Sequence, residues 1–277
     1  MHESLVYFIT ALMYVVLAVS GRYRVPQPRT SPAAVVQDPA MGWRRGLLPI
    51  VLVLHALLLL RDMLGGASFS LNLGTALSLI LWLTVLIYWV ESHWVQIGAL
   101  QNLVLPVAAI SVLLPYFMSA QRVLAYAELS SFKSHLVIAM PAYGLLTVAA
   151  LHAVLLLVLE KRLHKGNLPT FWGDLPPLLS LERVTFRILF VGFVLLTLTL
   201  LSGMVFSEAW FGKPFKFTHH IILGLIAWLI FGLLLLGRRF WGWRGRVAAR
   251  WLLTGFGFLL LAYVGTKFVL EVLLHRY

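Results

Sequence analysis

Eight apolar runs, separated by short polar segments, divide the chain. A helix that crosses a lipid bilayer needs about 20 mostly apolar residues, or somewhat fewer where the bilayer thins. The composition agrees with lipid as the solvent, because 61% of the residues are hydrophobic and only 12% are charged. We predict an all-α, polytopic membrane helix bundle that forms a single transmembrane domain over residues 1–277. The predicted spans are 4–20, 46–60, 75–90, 95–114, 135–158, 184–206, 219–237 and 251–273.

Basic residues are concentrated in alternate connections between these runs. Loops 21–45, 159–183 and 238–250 hold fourteen Lys and Arg residues, and the segments on the opposite side hold six. Lys and Arg accumulate on the cytoplasmic side of membrane proteins, so we expect both termini to be periplasmic and the location to be a bacterial inner (cytoplasmic) membrane. The net charge of +12 then reflects topology, with membrane lipid as a partner and no nucleic acid.

Three local features complete the predicted topology. The first run follows only "MHES", with no basic region and no small-residue cleavage site, and is expected to be a retained helix. The third and fourth spans are joined by a very short turn near Glu91. In "GDLPPLLSLERV", Asp174 is a candidate N-cap and prolines follow it, which predicts a short interfacial helix before the sixth span.

Several chemistries are excluded by residue types that the chain lacks. There is no cysteine, which removes disulfides, thiolate metal sites, iron–sulfur clusters and thiol nucleophiles. No HExxH, GxSxG, P-loop or dinucleotide motif is present. We therefore predict no catalytic residue, and a function without catalysis is favoured.

Histidines within apolar spans are candidate site residues, because polar groups in lipid are costly unless they are paired. His55 lies in "VLVLHALLLL" and is either a metal ligand or a neutral imidazole that bonds a neighbouring helix. His135 begins the fifth span on the same helical face as Tyr143, whereas His152 lies on another face and is expected to be a packing residue. The histidines predicted in the periplasmic half of the bundle are His55, His135, His219, His220 and His275.

The eighth span carries a polar stripe with a four-residue spacing, formed by Tyr263, Lys267, Glu271 and His275. It is either the wall of a site or a lysine that reaches the interface beside its counter-ion. His219 and His220 begin the seventh span about 100° apart on the helix, so only one of them readily joins a given site. Haem bound by two histidines from different helices fits this set.

The C-terminal half resembles the CcsA-type cytochrome c assembly proteins. The resemblance is carried by "SHLVIAMPAYGLL", by "GWRGRVAARWLLTGFGFLLLAYVGTKFV" and by the closing "LLHRY". "LPPLLSLERVTFRILFVGFVLLTLTLLSGMVF" is most similar to the YpjD branch of that CcsA/HemX-type family. The likeness is strong from about residue 130 and looser before it.

The resemblance implies a haem b cofactor with His135 and His275 as iron ligands. "EAWFGKPFKFT" stands where the family has a tryptophan-rich segment that presents haem. A further haem-ligating histidine of the family is missing here, since its position falls at about Leu236. The Trp-Asp-Pro core of that segment is missing. Its remaining aromatic residues, which with His219 and His55 complete the predicted cofactor site, are Trp210, Phe211, Phe215 and Phe217.

Three functions are compatible with these features. The first is a haem-handling protein of cytochrome c or cytochrome complex assembly, without complete synthase machinery, that works with an assembly partner. The second is a HemX-like regulator whose arginine-rich loops dock a cytosolic protein of tetrapyrrole synthesis. Transport of a small solute is the weakest, because neither inverted repeats nor paired broken helices are visible.

Overall fold

The computed structural model describes residues 2–20, 39–65, 69, 71–94, 98–118, 129–164, 178–211 and 219–265. Within these ranges the chain forms eight α-helices and no strand, which confirms the predicted all-α membrane bundle. Seven helices are long and apolar enough to cross a membrane, and α1 is a shorter apolar helix. The helices are α1 His2–Ser20, α2 Pro39–Leu64, α3 Leu73–Glu91, α4 Gly98–Phe117, α5 Ser130–His164, α6 Leu178–Phe211, α7 His219–Trp241 and α8 Gly245–Leu260, which a π-helical turn, Leu261–Gly265, extends.

The buried apolar side chains form two clusters, one for each half of the chain. The first joins α1 to α4 and includes the C-terminal part of α5 and the N-terminal end of α6, for example Leu155 and Leu181. The second joins α5 to α8. Helix α5 belongs to both, and its buried alanines, among them Ala149 and Ala153, let neighbouring helices approach closely.

Interhelical hydrogen bonds fix the order of the helices within each half. Gln101 of α4 donates to the Leu17 carbonyl oxygen of α1 at 3.2 Å, as expected for an amide in a span. The Trp82 indole of α3 donates to the Leu52 carbonyl oxygen of α2 at 2.8 Å. In the second half, the Trp228 indole of α7 donates to the Thr197 hydroxyl of α6 at 2.8 Å.

The "GWRG" connection explains how α7 turns directly into α8. Gly242 and Gly245 have φ of 64° and 60°, a region that side chains with a Cβ rarely enter. Between them, the Trp243 backbone N–H donates to the Gly237 carbonyl oxygen at 3.2 Å, which closes the end of α7. Trp243 stacks on Trp251 with 5.2 Å between ring centroids.

The structure differs from the sequence-based expectations in two places, both in α6. Helix α6 begins at Leu178 and runs unbroken to Phe211, so the prediction of a separate helix before the sixth span is wrong within the described residues. The same helix includes 207–211, which had been assigned to a periplasmic loop. Glu91 is the last residue of α3 and is buried, and a short turn follows it at 92–94, where the sequence predicted one.

Candidate functional site

His135 lies in the second turn of α5 and contacts α6 through a hydroxyl. Its Nδ1 is 2.8 Å from the Ser202 Oγ. That hydroxyl donates its one proton to the Thr199 carbonyl oxygen at 3.1 Å, so it accepts from Nδ1–H of the imidazole. This arrangement selects the tautomer whose Nε2 carries the lone pair. A histidine that ligates a metal commonly has its other ring N–H held in this way.

Small residues on α6 make room for the His135 ring. Gly203 follows Ser202, and a Cβ added at Gly203 would lie 3.5 Å from the His135 Cε1. An alanine methyl at Gly203 would therefore come only to ordinary van der Waals distance from the ring. Sequence reasoning missed Ser202 and Gly203, although a Ser-Gly pair inside the bulky run "LTLTLLSGMVF" is a signal of close helix approach.

Tyr143 and Tyr263 join α5 to the end of α8. Their ring centroids are 5.5 Å apart at an interplanar angle of 53°. Tyr263 lies within the π-helical turn, Leu261–Gly265. The predicted polar stripe assumed regular α-helical spacing, which does not hold at this first member. π-helical turns occur frequently at functional sites, and this one directly precedes the segment with the second predicted ligand.

His55 is held in a different environment, between α1, α2 and α3. Its side chain is 1% exposed. Nε2 is 2.9 Å from the Ser78 Oγ, and Nδ1 is 3.3 Å from the Tyr14 hydroxyl. Both ring nitrogens therefore face hydroxyls of neighbouring helices, which is the geometry of the hydrogen-bonded alternative for this residue.

The other predicted site residues are only partly covered by the structure. His219 and His220 are both exposed at the start of α7, and Trp210 and Phe211 belong to the last turn of α6. Among the described residues, no three His, Asp or Glu side chains gather as a metal site. The predicted residues outside the described ranges are Phe215, Phe217, Lys267, Glu271 and His275.

A buried acid–base pair lies at the cytoplasmic end on the predicted topology. Glu91 of α3 and His152 of α5 approach with 3.5 Å between Oε1 and Nε2. Both side chains are buried, and neither forms a hydrogen bond to any residue in the described part of the chain. His152 was expected to be a packing residue, and Glu91 was overlooked because it ends an apolar run next to a turn.

A haem held by two histidines requires two imidazole ligands, and the described residues supply one of them, His135. His135 supplies an imidazole with a fixed tautomer, a hydrogen-bonded Nδ1 and close helix packing. The helix that leads toward His275 is brought beside α5 by the contact between Tyr143 and Tyr263. Within the described residues, the His135 imidazole fits haem iron, for which neutral imidazole is a common ligand; His275 lies outside them.

The fold defines a multi-pass membrane protein in which a half-buried histidine of α5, His135, contacts Ser202 of α6. Residues 47–274 match the family described as Cytochrome C assembly protein. The chain belongs to this cytochrome c assembly family.

Curated relatives carry related names. The chain is 31% identical over 241 residues to the inner membrane protein YpjD of Escherichia coli (strain K12), covering 84% of this chain and 89% of that protein. It is 31% identical over 144 residues to the cytochrome c biogenesis protein CcsA of Chlamydomonas reinhardtii, covering 52% of this chain and 39% of that protein. It is also 39% identical over 99 residues to CcsA of Prochlorococcus marinus (strain AS9601), covering 35% of this chain and 31% of that protein. No solved structure matches the chain.

Proposed function

We propose that this chain is a haem-handling protein of the bacterial inner membrane that holds haem b during cytochrome c or cytochrome complex assembly. The observation that carries the proposal is the hydrogen bond between His135 Nδ1 and Ser202, which prepares Nε2 to ligate iron. Family membership and the names of the CcsA and YpjD relatives support it.

Individual residues of this chain would have distinct roles in binding haem. His135, with His275 as the second ligand, would hold the iron near the periplasmic face. Tyr143 and Tyr263 would form an aromatic wall between α5 and α8, and His219 would lie at the rim. Bound haem would supply a redox-active iron and a group for delivery to an assembly partner. Without the family's Trp-Asp-Pro core, we expect binding and transfer rather than complete synthase activity.

The test is the visible spectrum of the protein purified in mild detergent from haem-supplemented cells, oxidised and then reduced with dithionite. We expect a sharp reduced α-band and close to one haem per chain. His135→Ala should remove most of that haem, because an axial ligand is lost. His93→Ala is the matched control, since His93 is an exposed histidine beside the end of α3.

Two outcomes would contradict the proposal. If the folded protein had a featureless spectrum, the regulator function with a cytosolic partner would become the better explanation. If haem were bound but unchanged in His135→Ala, the site would be elsewhere in the bundle.

A further inference from the structure

An open groove lies between α6 and α7 at their cytoplasmic ends. Its volume is about 530 Å³. One end is lined by the arginines Arg183, Arg187 and Arg238, and the remainder by apolar side chains that include Phe190, Val191 and Leu235. The groove therefore combines a basic end with a hydrocarbon-lined wall.

Only one of the three arginines has an ion pair within the described part of the chain. Arg238 is paired with Glu182 at 3.5 Å between Nη1 and Oε1, and its guanidinium carbon is 3.6 Å from the centroid of the Phe186 ring. Arg183 and Arg187 are exposed and have no ion pair within the described part of the chain. Because they are one helical turn apart, they repel each other unless an anion lies between them.

Arg183 and Arg187 lie in the first three turns of α6, within the 29-residue apolar segment 178–206. About 20 residues cross the hydrocarbon core, so both arginines lie near the cytoplasmic headgroups on the predicted topology. A charge inside a span is costly unless it has a partner or reaches the headgroups. Two such charges beside Arg238 form a cluster that favours a bound anion.

The apolar wall indicates what kind of anion fits. Phe190 and Val191 are 57% and 49% exposed, and they follow Arg187 by about one turn toward the middle of the membrane. A soluble phosphate would contact only the arginines. A ligand with a phosphate and hydrocarbon chains would contact both parts of the groove.

We infer that this groove binds an anionic phospholipid. Its phosphate lies between Arg183, Arg187 and Arg238, where guanidinium groups can form paired hydrogen bonds to phosphate oxygens. Its acyl chains lie along Phe190, Val191 and Leu235. Basic pockets between membrane helices on the cytoplasmic side are suited to such headgroups. The inference is independent of the haem proposal, because none of these residues contacts His135.

The experiment compares phosphatidylglycerol with phosphatidylcholine of identical acyl chains, using native mass spectrometry of the full chain in detergent. We expect the unmodified protein to bind phosphatidylglycerol about tenfold more tightly. Arg183→Gln/Arg187→Gln should reduce this preference to below about threefold. Arg244→Gln/Arg250→Gln is the matched control, since it removes the same charge from exposed arginines outside the groove and should keep the full preference.

Three results would overturn the inference. The first is that Arg183→Gln/Arg187→Gln keeps the preference for phosphatidylglycerol, and the second is that the control variant loses as much of it. The third is that excess inorganic phosphate displaces phosphatidylglycerol, which would indicate a site for a soluble anion. If the double glutamine variant does not fold, Arg183→Lys/Arg187→Lys serves in its place. That variant keeps the charge but loses the planar guanidinium, whose paired N–H groups bind phosphate oxygens. We expect it to lower the preference for phosphatidylglycerol about threefold.

Discussion

His55 lies within an apolar run and His135 lies at the start of one, and the two halves of the bundle place them in different environments. His55 is enclosed by α1, α2 and α3, with a hydroxyl against each ring nitrogen. His135 is half-buried between α5 and α6, and the one hydroxyl on its Nδ1 selects the tautomer suited to a ligand. The two histidines therefore differ in burial and in the hydroxyls that contact them: His55 faces Tyr14 and Ser78, and the His135 Nδ1 faces Ser202.

The largest expected effect that separates the two histidines is on haem. The ratio of haem to folded protein should fall at least tenfold in His135→Ala, because the iron loses an axial ligand. In His55→Ala the ratio should stay near that of the unmodified protein. The measurement is the pyridine haemochrome assay on the monodisperse fraction of each variant. Equal loss in both variants would break the distinction between the two sites.

The free energy of unfolding should be affected in the reverse order, more by His55→Ala than by His135→Ala. We expect His55→Ala to lower the free energy of unfolding by about 3 kcal/mol, since a cavity is left and two buried hydroxyls lose their partner. His135→Ala should cost less than about 1 kcal/mol in haem-free protein, because its ring is half-buried. Thermal unfolding in detergent checks both values. A His55→Ala/Ser78→Ala double variant should cost less than the sum of the single variants, because the two side chains share one hydrogen bond.

The pair formed by Glu91 and His152 extends the comparison to a third buried histidine. Removing the carboxylate with Glu91→Ala should destabilise the protein by about 2 kcal/mol, because a buried polar ring is left without its neighbour. Glu91→Gln keeps the shape and a hydrogen-bonding group, so it should cost less. Haem content should not change in either variant. A drop in haem would connect this pair to the haem site.

Ser202→Ala tests whether the hydroxyl on Nδ1 distinguishes His135 functionally. Loss of an outer-shell hydrogen bond typically weakens metal binding about 10- to 100-fold, and we expect haem to dissociate at least tenfold faster to apomyoglobin. Ser202→Thr, which keeps a hydroxyl, is the control and should restore most of the affinity. An unchanged dissociation rate in Ser202→Ala would mean that the hydrogen bond is structural only.

Sequence reasoning predicted the class of fold, and it failed where packing between helices decides; the role of His135 stays a prediction. Apolar runs and basic loops are local properties, so the bundle could be predicted from them. The partners of His55 come from α1 and α3, far away in the chain, and no periodicity reports them. The burial of Glu91 against His152 was not predicted, because burial at a helix end depends on the neighbouring helix. Tyr263 was placed on a regular stripe because a π-helical turn leaves no clear trace in residue spacing.

The smallest expected effect concerns Gly203, which faces the His135 ring. A Cβ there would lie 3.5 Å from Cε1, an ordinary contact, so Gly203→Ala should change stability by less than about 0.5 kcal/mol and leave haem bound. Gly255→Ala is the contrasting variant, because its Cβ would lie 2.7 Å from the Cε1 of the fully buried Phe231. Overpacking there should cost about 1–3 kcal/mol. A large loss of haem in Gly203→Ala would instead show that the space beside His135 is needed by the ligand, which would sharpen the difference from the enclosed His55.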